Sequence, residues 1–494
     1  MNAFKDLYLI ETQSLLWHNG KSTVSFRKGN EMSEVKNVMS YAISARDVFR
    51  GWETSRIINL LGEVADTLDG AAAELIKLAM EETNLPEARL TGEVARMTGQ
   101  WRHMAAALGR GEYLNIIKDP ADSSIQPPRP DLRKTSLPIG IVGVFGASNF
   151  PFAFGVGGCD TASAVAAGCP VIIKSHPGHP KTSRKVFELI CDGVKNAGGP
   201  SGLINLIESF ESGIDLVKED QVSAIAFTGS TSGGRALFDV AQSRSNPIPF
   251  YGELGGLNPI FVTEEAANTR SETIAKGFLE SVSLGSGQFC TKPGFLVTIG
   301  AGKIKDEIEK LIPTVTTHPM LNENIRAAYE DKLEKYLKLG FAKLHSRAVT
   351  SNQEVEPTTI VEMSGADLLT NVDQALQEIF GPTAVIVDCA DSSELLEVAR
   401  VFHGTLASGV HGEPSDEVIG KGLLAVLERI SGRVIWNGWP TGVAVTWAMH
   451  HGGPFPAATN PLFTSVGADS IKRFRRPITY QNFPQELLPG HLRD

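Results

Sequence analysis

Between residues 139 and 263 the chain repeats one pattern: a short β-branched apolar run, a stretch of small and amphipathic residues, then another run. The runs are IGIVGVF, CPVIIKS, INLIES, AIAFTGS and NPIFVT, and segments such as CDTASAVAAG and SGGRALFDVA lie between them. Strands alternating with helices through short connections imply a parallel, doubly wound sheet, because each crossover helix returns the chain across one face. Ligands of such sheets bind outside the carboxyl ends of the strands. The pattern therefore gives a fold class, α/β, and says which edge of the sheet to search for chemistry.

The 494 residues are enough for two or three domains. A second α/β region runs from about 255 to 450, with strand candidates FLVTIG, AVIVDC and RVIWNG. Upstream, Leu61, Val64, Leu68, Leu75 and Ala79 recur near a 3.6 period and predict a helix over 56–82. Thr83 to Pro86 interrupts it, and a second helical run follows from about Leu90 to Leu108. Residues 1–43 are weakly patterned, whereas 113–137 is polar and proline-bearing, an excursion that the tail from 465 on, with FRRPITYQNFP, would pair with. Residues 137–159 carry no charge, but their glycines, Pro138, Pro151 and Asn149 would break a spanning helix. A buried strand, a turn and a loop are expected there, and no membrane partner.

The net charge of −10 and pI of about 5.7 disfavour nucleic acid, whose phosphates need a basic surface. The five cysteines are an odd number with no CxxC pair, so neither a disulfide framework nor a structural zinc site is expected. Scattered free thiols fit a reducing compartment, the cytoplasm. The start MNAFKDLYLIE lacks the basic and apolar regions of a signal peptide.

Chemistry-bearing residues cluster at the strand ends. GSTSGGRA, Gly229 to Ala236, has P-loop glycine spacing, but Arg235 and Ala236 stand where lysine and a hydroxyl residue are required, so nucleotide hydrolysis is not expected. What remains is a turn leading into a helix N-terminus, either a pyrophosphate site or a plain tight turn. Lys174 ends CPVIIKS and faces the crevice or solvent; Asn149, in GASNFPF, would donate to an oxyanion or satisfy its own loop. Glu253 lies among glycines in FYGELGGLNP and reads as a general base or a solvated carboxylate. Cys290, in LGSGQFCTKPG, reads as a buried filler or a nucleophile; its glycine, glutamine and threonine neighbours are poor core material. A nucleophilic thiol needs exposure and a lowered pKa. No His/Cys/Asp cluster with ligand spacing appears, so no metal is expected.

The series SNFP, IIKSHP, FTGS, ELGGLNP, GQFC and EIFGP, in this order and spacing, resembles the aldehyde dehydrogenase superfamily from about residue 40 to 485. The resemblance implies two doubly wound parallel-sheet α/β domains plus a small β oligomerisation arm. It divides the chain into a dinucleotide-binding domain (1–112 and 138–254), a catalytic domain (255–464) and an arm (113–137 and 465–494) that joins a homodimer or homotetramer. It makes Cys290 the nucleophile, Glu253 the general base and Asn149 the oxyanion donor, with the Cys290 backbone N–H as its partner. Lys174, Gly229, Ser230, Glu378 and Phe380 become residues of an NADP or NAD site. His451, in HGGP, matches a histidine near the nucleophile of NADP-using relatives and is grouped with that site.

EETNLPEARLTGE, GASNFPFAFG, FCTKPG, and NGWPTGVAV followed by HHGGPFPA resemble the 2-oxoglutarate semialdehyde (2,5-dioxopentanoate) dehydrogenases of bacterial sugar-acid and hydroxyproline breakdown. A dicarboxylate product implies a cation for the distal carboxylate, with Arg96, Gln100 and Arg102 as candidates and Phe152 and Phe289 as aromatic walls. Leu257 departs from the lysine or serine of many members. No arginine occurs in ESFESGID after INLI, and Pro177 stands where NAD-preferring members often carry a glutamate. The missing acid favours NADP, which Glu208 and Glu211 would partly oppose. The alternatives are another semialdehyde, an aliphatic or aromatic aldehyde, or an inactive scaffold.

Overall fold

In the computed structural model, which describes residues 34–494, the alternation becomes two large sheets and one small antiparallel sheet. Among the described residues, four helices, Glu34–Phe49, Thr54–Gly70, Ala72–Thr83 and Glu87–Arg110, precede the antiparallel pair β1 (Ile117–Asp119) and β2 (Leu132–Pro138). Then β3 (Ile141–Phe145), β4 (Val171–Lys174), β5 (Ile204–Ile207), β6 (Val222–Thr228) and β7 (Phe250–Glu253) form a parallel sheet in the order β5-β4-β3-β6-β7. A second sheet is built from β8 (Ile260–Val262), β9 (Phe295–Ile299), β10 (Lys343–Arg347), β11 (Thr359–Ser364), β12 (Thr383–Cys389), β13 (Thr405–His411) and β14 (Ser431–Trp436). Its order is β10-β11-β12-β9-β8-β13-β14, parallel except that β10 opposes β11. Finally β15 (Arg475–Gln481) pairs with β2, completing the small sheet β1-β2-β15.

The period of two in each strand sorts side chains onto two faces. In β3, Val142 and Val144 join Leu60, Leu61, Val64, Met97 and Trp101 in one core layer. Ile141 and Phe145 join Val35, Met39 and Leu216 in the other. In β9, Phe295, Val297 and Ile299 face one layer and Leu296 the opposite one. Full burial of such side chains contributes about 1.5–3 kcal/mol each. The strands of both sheets are thereby locked in register, and their carboxyl ends become fixed points for side chains.

Several expectations change. The helix expected over 56–82 breaks after Gly70, where Ala71 leaves helical geometry (φ −106°, ψ 11°). The tail expected to be arm from residue 465 starts differently: Ala468–Phe474 is a 3₁₀ turn whose Ile471 and Phe474 are buried in the first core, and pairing begins at Arg475. The buried strand and loop expected in the uncharged stretch 137–159 are found as β3 and the segment after it, and among the described residues no helix is long and apolar enough to cross a membrane. The readings made on residues 1–33, including the first part of the dinucleotide-binding domain and the start MNAFKDLYLIE, lie outside the described residues.

Candidate active site

The loop after β3 is held by one face of the helix Glu87–Arg110. Arg89 Nη2 donates to the Asn149 carbonyl at 3.0 Å. Glu93, buried, accepts the backbone N–H groups of Phe152 (2.9 Å) and Ala153 (3.0 Å). Gln100 Nε2 reaches the Ala153 carbonyl (3.4 Å) and Trp101 Nε1 the Gly157 carbonyl (2.8 Å). Burial pushes the Glu93 carboxyl up against the opposing pull of Arg89 and the two N–H donors. These bonds satisfy loop groups that would otherwise be buried unpaired, and they fix where Asn149 stands.

The Cys290 loop is shaped by backbone that side chains resist. Gly285, Ser286 and Gly287 all have positive φ (59°, 55° and 67°). A Cβ on Gly287 would lie 2.1 Å from the Gly381 carbonyl, so only glycine fits this close crossing. Asn258 Nδ2 then ties the carbonyls of Cys290 (2.8 Å) and Lys292 (2.9 Å). From the β3 loop, Asn149 Nδ2 donates to the Gln288 carbonyl at 3.0 Å, two residues before the cysteine.

Glu253 ends β7, beside the end of β6, where Gly229 N–H donates to its carbonyl at 3.1 Å. Its carboxylate is buried and lies 2.7 Å from His451 Nε2, while Ser465 Oγ donates to its other oxygen. Cys290 Sγ is 3.7 Å from the same His451 nitrogen. One ligand atom each of Glu253, Cys290 and His451 fall within 4.8 Å of one another. A thiol, a carboxylate and an imidazole thus converge where the two sheets' loops meet.

The charges are tuned in opposite directions. Burial raises the Cys290 thiol well above its ordinary value, and the Glu253 carboxylate adds to this, with Arg96 opposing. Burial likewise acts to raise Glu253, but the His451 charge and hydrogen bonds from His451, Ser465 and Cys290 outweigh it, so the carboxyl is held below its ordinary value. A lowered thiol pKa was expected. The surroundings act the other way: burial and Glu253 favour the neutral thiol, while the hydrogen bonds to Glu253 favour its ionised carboxylate.

The residues expected at the cofactor site divide. Lys174 is buried at the end of β4, and burial pushes its ammonium down despite the attraction of Glu34 and Glu208. Gly229 and Ser230 are exposed after β6, and Ser230 caps the helix Thr231–Gln242 through its bond from Gly233 N–H (3.2 Å). Glu378 and Phe380 lie partly buried before β12; burial raises the Glu378 carboxyl, opposed by Lys332, Lys292 and the Gly256 N–H. His451 stands apart from this set: it is bonded to Glu253, next to the sulfur.

The expected substrate residues divide too. Phe289 packs with Phe150, Phe154, Val443 and Val445 in an aromatic cluster beside Cys290. Phe152 does not: it is 0% exposed inside the helical core. Gln100 turns its Nε2 to the loop backbone and leaves its buried Oε1, an acceptor with nothing to offer a carboxylate, without a partner, and Arg102 pairs on the surface with Asp66 and Asp69 (2.6 Å each). Arg96 remains. Its guanidinium carbon lies 5.3 Å from the Phe154 ring centre and 5.8 Å from that of Phe150, and its Nε and Nη2 are buried without a hydrogen-bond partner.

Arg89, Glu93 and Ser465 went unseen in the sequence, as did Lys292, whose buried ammonium donates to the carbonyls of Ile379 (3.1 Å) and Thr383. The one available signal was a lysine inside FCTKPG, between a cysteine and a turn.

The profile of the aldehyde dehydrogenase family matches residues 18–454. The alpha-ketoglutaric semialdehyde dehydrogenase of Acinetobacter baylyi is 39% identical over 441 residues, covering 88% of this chain and 84% of the relative. The alpha-ketoglutaric semialdehyde dehydrogenase 2 of Azospirillum brasilense is 39% identical over 469 residues, covering 94% and 89%. The fold matches Methanocaldococcus jannaschii glyceraldehyde-3-phosphate dehydrogenase, complexed with NADP, with a TM-score of 0.76 at 19% identity over 90% of this chain and 93% of that one. It also matches Thermus 1-pyrroline-5-carboxylate dehydrogenase, with bound NAD, at TM-score 0.76 and 22% identity over 91% and 86%. The chain belongs to the aldehyde dehydrogenase family.

Proposed function

We propose that the protein oxidises 2-oxoglutarate semialdehyde to 2-oxoglutarate with NAD(P) as acceptor. The observation that carries the substrate is Arg96. Arg96 is half-buried, and its Nε and Nη2, buried without a partner beside the nucleophile, are costly to leave so unless a carboxylate completes them. Two relatives at 39% identity bear the name of this activity.

The crevice fits a dinucleotide. Lys174 is a buried cation at a strand end, Ser230 opens a helix, and Gly255 is a cradle where a Cβ would meet Glu378 Oε2 at 2.2 Å. Lys174, Gly229 and Ser230 would hold the ribose and phosphates, and Glu378 and Phe380 the nicotinamide end. When bound, the oxidised nicotinamide supplies a hydride acceptor. The chain's own residues do the rest. Glu253 takes the Cys290 proton as sulfur bonds to the aldehyde carbon. The Asn149 amide and the Cys290 N–H stabilise the oxyanion. Glu253 passes the thiol proton to solvent. After oxidation to the thioester it takes a proton from water as the water oxygen bonds to the carbonyl carbon. The C–S bond breaks, the Cys290 sulfur takes a proton back from Glu253, and the acid leaves. His451, hydrogen-bonded to Glu253 and facing the sulfur, positions both.

NADP is favoured over NAD. The stretch ESFESGID directly after β5 has no arginine, but the helix Pro180–Asn196 brings Arg184 to Glu208 (2.8 Å), near the end of β5. Released from that pair, Arg184 is a partner for a 2′-phosphate. The five cysteines, none in a disulfide, fit the cytoplasm. The proposed division keeps β3–β7 as dinucleotide-binding domain, β8–β14 as catalytic domain and β1, β2 and β15 as arm. The open edge of β14, with Trp436 55% exposed and Val418 and Leu424 nearby on the helix Glu417–Ile430, suits a homodimer or homotetramer. Trp436→Lys is expected to shift sedimentation toward the monomer; an unchanged profile removes β14 from the interface.

The substrate is tested with Arg96→Met. Loss of charge-assisted hydrogen bonds worth about 1.5–3 kcal/mol lowers kcat/KM for 2,5-dioxopentanoate by about 10- to 100-fold. Rates with uncharged short aldehydes should stay near wild type. Equal loss on both classes would remove the carboxylate from the argument, and wild-type rates highest for uncharged aldehydes would replace the substrate.

A further inference from the structure

We propose that Cys290, His451 and Glu253 form a capture site for a borderline-soft divalent cation, of which Zn²⁺ is the test case, that reversibly silences the nucleophile. The inference does not rest on which aldehyde is oxidised. It rests on three donors of the right types with their ligand atoms all within 4.8 Å of one another. No sequence spacing announced them, because the sulfur and the imidazole lie 161 positions apart.

Tetrahedral zinc takes sulfur at about 2.3 Å, imidazole nitrogen at about 2.0–2.1 Å and carboxylate oxygen at about 2.0–2.2 Å, which puts the ligands roughly 3.3–3.6 Å from one another. The sulfur–nitrogen separation of 3.7 Å already suits this. The nitrogen–oxygen separation of 2.7 Å must open by roughly 0.6 Å, a small turn of the carboxylate about its last torsion. Ser465 holds the other carboxylate oxygen, so the oxygen facing His451 is the one that ligates. A thiolate, an imidazole and one carboxylate select zinc-like ions over magnesium or calcium, which want oxygen alone. Glu378 adds attraction at the site, while Arg96 and Arg433 oppose it. Three protein ligands leave the fourth position to water.

On binding, the S–H bond breaks, a sulfur–metal bond forms, and the proton leaves to solvent. Imidazole and carboxylate donate lone pairs without any redox change. Nucleophile and base are then occupied together, and aldehyde oxidation stops until a chelator removes the ion.

The full chain is titrated with Zn²⁺ by equilibrium dialysis and with Co²⁺ by absorption. One ion per chain and a thiolate-to-cobalt charge-transfer band are expected, both lost in Cys290→Ala and weakened at least tenfold in His451→Gln. Thermal unfolding checks that each variant folds. The rival site is half-buried Cys191, which feels the charges of Glu188 and Asp192. Cys191→Ser should leave binding intact. In the wild type, Zn²⁺ should protect the Cys290 peptide from iodoacetamide, a readout that needs no variant. Persistence of the charge-transfer band in Cys290→Ala, its loss in Cys191→Ser, or unprotected Cys290 at saturating Zn²⁺ would each overturn the proposal.

Discussion

Replacing Cys290 with Ala is expected to lower kcat/KM for aldehyde oxidation by at least about 10⁴-fold, because removing a covalent nucleophile collapses the steps that depend on it. The fold should survive. The side chain is only partly buried, and Ala removes one sulfur from the edge of the aromatic cluster, at a cost of about 1 kcal/mol. Thermal unfolding and dinucleotide binding should therefore remain close to wild type while turnover disappears. Alkylation gives an independent measure. Cys159 and Cys169 are fully buried and pushed up to about 11, and Cys389 is buried and pushed up to about 12. Cys191 is half-buried and also pushed up to about 11, and two acidic neighbours help to raise it. Cys290 is raised as well, but of the five thiols it is the one hydrogen-bonded to a carboxylate, that of Glu253, which can take its proton. Iodoacetamide should label Cys290 first. Activity retained in Cys290→Ala, or first labelling at Cys191, would remove Cys290 from the nucleophile's role.

The sequence made the frame legible where one local rule acts at a time. IGIVGVF, CPVIIKS and AVIVDC appear as β3, β4 and β12, because continuous β-branched runs between turns have few other solutions. Strand β7 was read as a glycine loop and β13 was not seen, since FYGE and TLASGVH lack that density and gain order only from the strands beside them. The break after Gly70 is similar: the apolar period continues through it, and only the change of direction between two packed helices reveals it. At the site, residues fixed by backbone demands were readable from their glycines. Residues fixed by the reach of a side chain were not. Phe150, Phe152 and Phe154 look alike in GASNFPFAFG, yet the hydrogen bonds that the Phe152 and Ala153 N–H groups donate to Glu93 turn the first and third toward Cys290 and the second into the core. The carboxylate, the sulfur and the imidazole come from β7, the Cys290 turn and a loop before β15, a convergence that no local pattern encodes.

Glu253→Gln is expected to separate the two proton transfers assigned to one carboxylate. Loss of a positioned base lowers kcat by about 10²–10⁴-fold. Thioester hydrolysis should suffer most, because water is a weaker nucleophile than sulfur, so mixing with aldehyde and cofactor should give a burst of reduced nicotinamide of one per site before a slow steady rate. The pH profile gives the sharper signature. In the wild type, Glu253 lies below its ordinary value and Cys290 above its own, so across the neutral range the carboxylate and thiol hold one proton between them. Moving that proton from sulfur to carboxylate changes no net protonation, and kcat/KM should be flat from about pH 6 to 8. In Glu253→Gln the internal acceptor is gone and the proton must leave to solvent. Over the same range kcat/KM should rise about tenfold per pH unit until the thiol ionises. That ionisation should fall at a lower pH than in the wild type, because the neighbouring negative charge that helped to raise it has been removed. A variant with no burst and a flat profile would show that Glu253 is not the proton acceptor; His451, 3.7 Å from the sulfur, would then inherit the role.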